Sequence, residues 1–207
     1  GAEEDLDLTV LHTSLLTRAI HTAELALAAA GRSWLPVRRH WRLNERHYGA
    51  LQGKNKKETR ERYGDELLQQ WRRSFDVRPP ALESDDAAGP VDPRYRDVAP
   101  EALPTTECLA DVVRRVVPYW EDAIVPDLLE TAGRGGAVLV VAHGNSIRAL
   151  RKHLEHRSAD EIVGLEIPTG IPWRCRLDDE LEITSAGYLG DPDEARAAAE
   201  KVAKQAG

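Results

Sequence analysis

The 207-residue sequence contains no methionine, two cysteines, and fewer basic than acidic residues. Each shortage excludes something. No stretch approaches the ~20 consecutive apolar residues that a spanning helix needs. Cys108 and Cys175 lie far apart, which suits reduced thiols in a cytoplasmic protein better than a disulfide framework. No cysteine or histidine spacing resembles a metal site, so no metal is expected. With 28 Lys+Arg against 35 Asp+Glu, the formal charge is −7, which argues against a general nucleic-acid binder. A local cationic pocket for a small anion remains compatible with that charge. The chain opens Gly1-Ala2-Glu3-Glu4-Asp5, without the basic start and apolar run of a signal peptide. The absent methionine leads to the expectation that a front segment is missing.

What is present suits one packed domain. The hydrophobic fraction is 42% and the charged fraction 30%, as in ordinary globular chains. Leu8 to Thr13 is short, apolar and partly β-branched, and reads as a buried strand. A helix follows from about Leu16 to Ala30, with Ser14 as its candidate cap and Gly31 as its stop. Trp34 to Val37 reads as a second strand. Lys54 to Phe75 is helical in composition, broken at Gly64. Residues 77–104 form a Pro-rich loop insertion with an acidic run at Glu83-Ser84-Asp85-Asp86. Glu107 to Leu129 is the clearest helix: Leu109, Val112, Val116, Trp120 and Ala123 fall on one face. Ala137 to Ala142 is continuously apolar, as expected of a central parallel strand covered on both faces. A helix over Asn145 to His156, an edge hairpin over residues 174–184 and a helix over Asp193 to Lys204 complete the chain. Strands alternating with helices predict an α/β fold, a three-layer sandwich whose mostly parallel sheet is flanked by helices.

Two constellations carry chemistry. His143-Gly144-Asn145-Ser146 stands where a buried strand gives way to a helix, which is where α/β sheets bind ligands. Free N–H groups and the dipole at a helix start favour an anion there. A polar cap beside a satisfied histidine would look the same, so the signal alone is even-handed. The second constellation, Arg42 to Gly53, packs an acid, two arginines, a histidine and a tyrosine into an irregular segment. A solvated ion-pair loop is the ordinary alternative. Arg18, just after the first strand, and Lys56, Arg72 and Arg73 add cations suited to phosphate or carboxylate.

These motifs together resemble one family. Ala142-His143-Gly144-Asn145-Ser146, Leu43 to Gly49, Thr13-Ser14-Leu15 with Arg18-Ala19-Ile20, and Ile167 to Pro172 are similar to the cofactor-dependent phosphoglycerate mutases of the histidine phosphatase superfamily. The resemblance runs in order from Leu8 to the C-terminus. It implies interconversion of 3-phosphoglycerate and 2-phosphoglycerate in glycolysis and gluconeogenesis, through a phosphohistidine primed by 2,3-bisphosphoglycerate and without metal. It also implies a cytoplasmic homo-oligomer, a dimer or tetramer, with no nucleic-acid or membrane partner. Carried over residue by residue, Glu45 exchanges the proton of the substrate hydroxyl, while His143 and Arg18 steady the phosphoryl group in flight. Arg46, His47, Tyr48, Lys56, Arg72 and Arg73 hold substrate anions, and Gly144 and Asn145 donate from the helix start. Asn44 and Gly49 shape the loop.

One departure bears on activity. Relatives in this family begin with a strand ending in Arg-His-Gly, whose histidine accepts the phosphoryl group. Of His12, His21, His40, His47, His143, His153 and His156, only His143 precedes a glycine. The expectation is therefore a single domain over residues 1–207, N-terminally incomplete, with its first central strand and nucleophilic histidine absent and the chain inactive alone. Two other readings compete: a phosphatase of the same superfamily, and a nucleophile-less relative that only binds anions. The Asn44 to Gly49 motif favours the mutase.

Overall fold

The computed structural model describes residues 6–82 and 92–206. The acidic run Glu83 to Asp86 lies outside these residues. Three strands, β1 (Leu8–Thr13), β2 (Val37–Arg39) and β3 (Ala137–Val141), form a parallel sheet in the order β2-β1-β3. The C-terminal strands β4 (Trp173–Leu177) and β5 (Ile183–Tyr188) form a separate antiparallel pair.

This corrects the expected architecture. The sheets are mixed rather than mostly parallel, and the central strand is present: β1 pairs directly with both neighbours. Leu11 to Thr13 register with Val37 to Arg39, and with Leu139 to Val141 on the other side. No core stands open between them, because Val10 and Leu11 are buried in place. The apolar run in β3 therefore does not mark the centre of the sheet. It marks a strand covered on two faces: Val138 and Val140 pack on one core, Leu139 and Val141 on the other.

Those two cores define the layers. On one face, helix α1 (Thr17–Ala29) sets Ala23 and Leu27 against Leu11 and Leu35. Ser14 does not cap this helix with its side chain; the N-cap is Leu16. Gly31, with φ +65°, ends it. On the other face lie α3 (Leu109–Tyr119), α4 (Val125–Ala132) and α5 (Gly144–Leu154). Val112, Val116, Ile124, Ala149 and Leu150 are all buried there. The long helix read from Glu107 onward is α3 and α4 joined by a π-turn over Trp120–Ile124. Pro118 inside α3 has no N–H to give the preceding turn, and a widened turn after it absorbs the mismatch.

In chain order between β2 and α3 comes α2 (Lys56–Arg73), whose Gly64 leaves helical geometry at φ 79°, ψ 160°. Short α6 (Ala159–Val163) and the closing α7 (Pro192–Ala206) complete the elements. The described part of the Pro-rich insertion contains two short 3₁₀ turns, Pro93–Tyr95 and Pro100–Ala102. The beginning of the insertion is docked: Ala50 N–H donates to Pro80 O at 2.8 Å, and Thr106 Oγ1 donates to Pro79 O at 2.6 Å.

Candidate active site

β1 and β3 end side by side, and the loops that leave them bring Ser14 and His143 together. Ser14 Oγ and His143 Nε2 are 2.8 Å apart, both buried. Ser14 Oγ also accepts from Leu16 N–H at 3.1 Å. His143 is the N-cap of α5, and its own N–H donates to Ser146 Oγ at 3.1 Å. Burial lowers the His143 pKa to about 4; Glu45 opposes that shift, while Arg18 and Arg115 add to it. The ring is therefore neutral near pH 7, and Arg18 is close enough for its charge to act on it.

The Arg42 to Gly49 segment lies across the same helix start. Asn145 N–H donates to Glu45 Oε1 at 3.3 Å, and Arg46 N–H donates to the same oxygen at 2.7 Å. A Cβ on Gly144 would meet Glu45 Oε2 at 3.9 Å, an ordinary van der Waals distance, so the carboxylate lies directly beside the helix start. Arg46 is buried, stacked 4.4 Å from the Tyr48 ring centroid, and its Nε has no hydrogen-bond partner. Asn145 Nδ2 donates to Tyr48 Oη at 3.4 Å. His47 turns inward: its Nδ1 accepts from Gly49 N–H at 3.0 Å, and burial lowers its pKa.

The loop-shaping residues are visible in detail. Asn44 Oδ1 accepts from Leu15 N–H at 3.0 Å and its Nδ2 donates to Tyr95 Oη at 2.8 Å, tying the end of β1 to the described end of the Pro-rich insertion. Gly49 has φ +60°, and a Cβ there would lie 2.0 Å from Pro80 O.

Arg148 was passed over in the sequence. It lies one turn into α5, where its Nη1 donates to Asn145 Oδ1 at 3.3 Å and its Nη2 to Glu166 Oε2 at 3.1 Å. Burial lowers its pKa, and Glu166 and Glu45 act the other way. Its three-residue spacing from Asn145 was the available signal. Arg73 joins the cluster from α2, donating to Glu166 Oε1 at 2.5 Å. Arg72, its neighbour, is half-buried at the end of that helix. Lys56 begins α2, but its side chain lies outside the described residues.

His12 was also passed over. It sits in β1, fully buried, with Nδ1 2.9 Å from Tyr119 Oη and Nε2 2.8 Å from Asp127 Oδ2. Arg38 grips Asp127 with two prongs, at 2.7 and 2.8 Å, and holds its pKa down. The ionised carboxylate thus accepts from Nε2–H, and Nδ1 accepts from the tyrosine hydroxyl. Carboxylate, imidazole and hydroxyl in line form the arrangement that fixes a histidine tautomer in catalytic sites. The expectation that the nucleophilic histidine is absent and the chain inactive alone is corrected by His12, which is present and held by Asp127 and Tyr119. A polar residue in an otherwise apolar strand needs such partners, and that was its sequence signal.

A neutral histidine at a helix start, with a carboxylate and arginines beside it, is an arrangement chemically able to stabilise a phosphoryl group in transfer. The chain matches the family model "Histidine phosphatase superfamily (branch 1)" over residues 2–171. A 2,3-bisphosphoglycerate-dependent phosphoglycerate mutase of Thermobifida fusca is 56% identical over 207 residues, covering 99% of this chain and 82% of its own length. A phosphoglycerate mutase of Candida albicans is 53% identical, covering 98% and 81%. Among solved structures, a mycobacterial glucosyl-3-phosphoglycerate phosphatase superposes with a TM-score of 0.56 at 23% identity, covering 87% of this chain and 76% of its own. That last likeness concerns the fold. The chain belongs to the histidine phosphatase superfamily, branch 1, and is an isomerase-type enzyme of it. No helix among the described residues is long and apolar enough to cross a membrane.

Proposed function

We propose that this chain interconverts 3-phosphoglycerate and 2-phosphoglycerate by way of a phosphohistidine, with 2,3-bisphosphoglycerate as primer. One observation carries the reading above the others: the Glu45 carboxylate and the His143 ring share the N-terminal turn of α5. When bound, the primer supplies the phosphoryl group that loads the enzyme. The chain's residues suit its charge, since among the described residues a buried Arg46 Nε lacks a partner, Arg18 acts on His143, and Arg73 lies close enough to act on Arg148.

Glu45 takes the proton from the attacking hydroxyl and returns it in the reverse step. Its carboxylate accepts two backbone N–H groups, which hold it over the start of α5. Neutral His143 donates a hydrogen bond to the moving phosphoryl oxygens, Arg18 balances their charge, and the Gly144 and Asn145 N–H groups add the helix dipole. Arg46, His47, Tyr48, Lys56, Arg72 and Arg73 serve the substrate's remaining phosphate and carboxylate. The described parts of the Pro-rich insertion, residues 77–82 and 92–104, belong to the same domain and limit water near the site, with Tyr95 anchored on Asn44.

The reaction demands no metal on this reading, and the enzyme works in the cytoplasm as a dimer or tetramer without nucleic-acid partners. Support for assembly comes from Trp34 and Leu25, apolar side chains that are each 70% exposed. The test is a coupled assay of 2-phosphoglycerate formation, with 2,3-bisphosphoglycerate titrated and a chelator added in one arm. Activity that rises with the primer and ignores the chelator is expected. Phosphate release without isomer formation would overturn the proposal in favour of hydrolysis.

A further inference from the structure

Behind the loop that carries Glu45 lies an ion pair that the reaction as described does not use. Glu107, just before α3, and Arg115, within it, have side chains only 3% and 8% exposed. Arg115 Nε donates to Glu107 Oε1 at 2.6 Å and Nη2 to Glu107 Oε2 at 3.0 Å. The same guanidinium reaches the loop twice: Nη1 donates to Arg42 O at 2.6 Å, and Nη2 to Glu45 O at 3.2 Å. Glu107 holds the far side of the loop. His47 N–H donates to Glu107 Oε2 at 2.8 Å, and Glu107 N–H donates to His47 O at 2.8 Å.

The arrangement brackets Glu45. Backbone groups at residues 42, 45 and 47 are each tied to one buried pair on α3 or its cap, while the Glu45 side chain faces α5. Burying two charges is costly, and an apolar pair of the same volume would often serve stability as well. What an apolar pair lacks is direction: a planar guanidinium aims at two carbonyls and a carboxylate at once. A lysine ammonium has three donors on a single nitrogen and lacks that planar fork.

We infer that Glu107 and Arg115 are a positioning pair that sets where Glu45 stands over α5, and so decides whether a phosphoryl group reaches a substrate hydroxyl or water. The inference rests on the mutase reading above. With Glu45 in place, it takes the hydroxyl proton as the new P–O bond forms and the N–P bond to histidine breaks. With Glu45 displaced, a water oxygen forms the P–O bond instead, its proton passes to solvent, and inorganic phosphate leaves. The loop position thus sets the ratio of isomerisation to hydrolysis, with little effect on ground-state binding.

Arg115→Lys and Glu107→Gln in the full chain test this, with Glu107→Gln as the milder change because it keeps an acceptor for His47 N–H. Three quantities are read: isomer formation, phosphate release, and hydrogen exchange of the Asn145 amide, which donates to Glu45. In Arg115→Lys, isomer turnover should fall at least tenfold with KM within about threefold, and the release-to-isomer ratio should rise at least tenfold. Asn145 exchange should speed up in both variants, less in Glu107→Gln. Equal losses of both activities alongside a lowered melting temperature would reduce the pair to a purely structural role and overturn the inference. So would unchanged Asn145 protection in both variants, whatever the activities do. A wild-type enzyme that releases phosphate and forms no isomer sinks the mutase reading instead, and the Asn145 measurement then still decides the positioning claim.

Discussion

Glu45 Oε1 lies 3.3 Å from the Asn145 amide, so the acid carried by one loop closes the N-terminal turn of the helix that His143 caps. Two segments a hundred residues apart in sequence meet over one helix dipole. Replacing Glu45 by Gln keeps an acceptor for both amides but removes the titrating group. Isomer turnover should fall by about 10²–10⁴, the usual range for a lost acid–base group. The melting temperature should hold. A variant that loses stability and activity in parallel would place Glu45 among the structural residues.

Ser14→Ala tests the partner side of His143. The buried ring nitrogen loses its neighbour at 2.8 Å, and an unsatisfied buried donor costs about 1–3 kcal/mol. Urea denaturation should register that loss. The His143 side-chain resonances should broaden or shift as the ring gains freedom. Unaltered resonances would mean that Ser146 and packing fix the ring without Ser14.

Two glycines with similar dihedrals should respond differently to alanine. Gly31 and Gly49 have φ of +65° and +60°, but a Cβ at Gly31 meets nothing within 4 Å. Gly31→Ala should cost only the left-handed backbone penalty, about 1–2 kcal/mol. Gly49→Ala drives its Cβ into the Pro80 carbonyl, so the loop from Arg46 to Tyr48 must move. It should cost more than about 3 kcal/mol and raise KM. Equal melting temperatures for the two variants would contradict this account of the loop.

How far the sequence carried can be read from particular residues. Gly144 and Asn145 were legible because strand, glycine and helix occur in order, and the approach of Glu45 was legible through the motif around it. Strand β1 was also read correctly as an element, with its boundaries at Leu8 and Thr13. Its place was not, because pairing is a three-dimensional choice: the apolar run in β3 reads as central whether its neighbours lie on one side or two. Arg115 and Arg148 were not legible, since helical periodicity shows which face a residue takes but not what packs there. His12 was missed for a related reason. Its partners, Asp127 and Tyr119, lie more than a hundred residues away.

Buried histidines should shape the acid limb of stability. Burial lowers the pKa of His12, His40, His47 and His143, the last to about 4. Each is neutral when folded and binds a proton more readily when unfolded, so stability is full above about pH 6.5. It should decline as pH falls from there toward 4. His143 alone contributes on the order of 3 kcal/mol across that window. Chemical denaturation at pH 7.5, 6 and 5 checks the sign, and a rise in stability on acidification would refute it.

The His12 network offers a contrast between burial and exposure. Asp127→Asn leaves the His12 ring in place but exchanges an ionised acceptor for an amide, and frees Arg38 toward solvent. The cost should be about 1.5–3 kcal/mol, the usual value of hydrogen bonds to a charged group. Arg38→Ala should cost less, because the Arg38 side chain is 54% exposed. Thermal melts of the two variants give the order directly.

The most direct measurement is a crystal structure of the enzyme soaked with vanadate, which takes the shape of a phosphoryl group in transfer. The account predicts one vanadate at the mouth of the parallel sheet, contacting His143, Arg18 and the Gly144 or Asn145 N–H, with the Glu45 carboxylate within hydrogen-bond distance on its open side. Vanadate seated elsewhere, or bound at α5 with Glu45 turned away from it, would contradict the account.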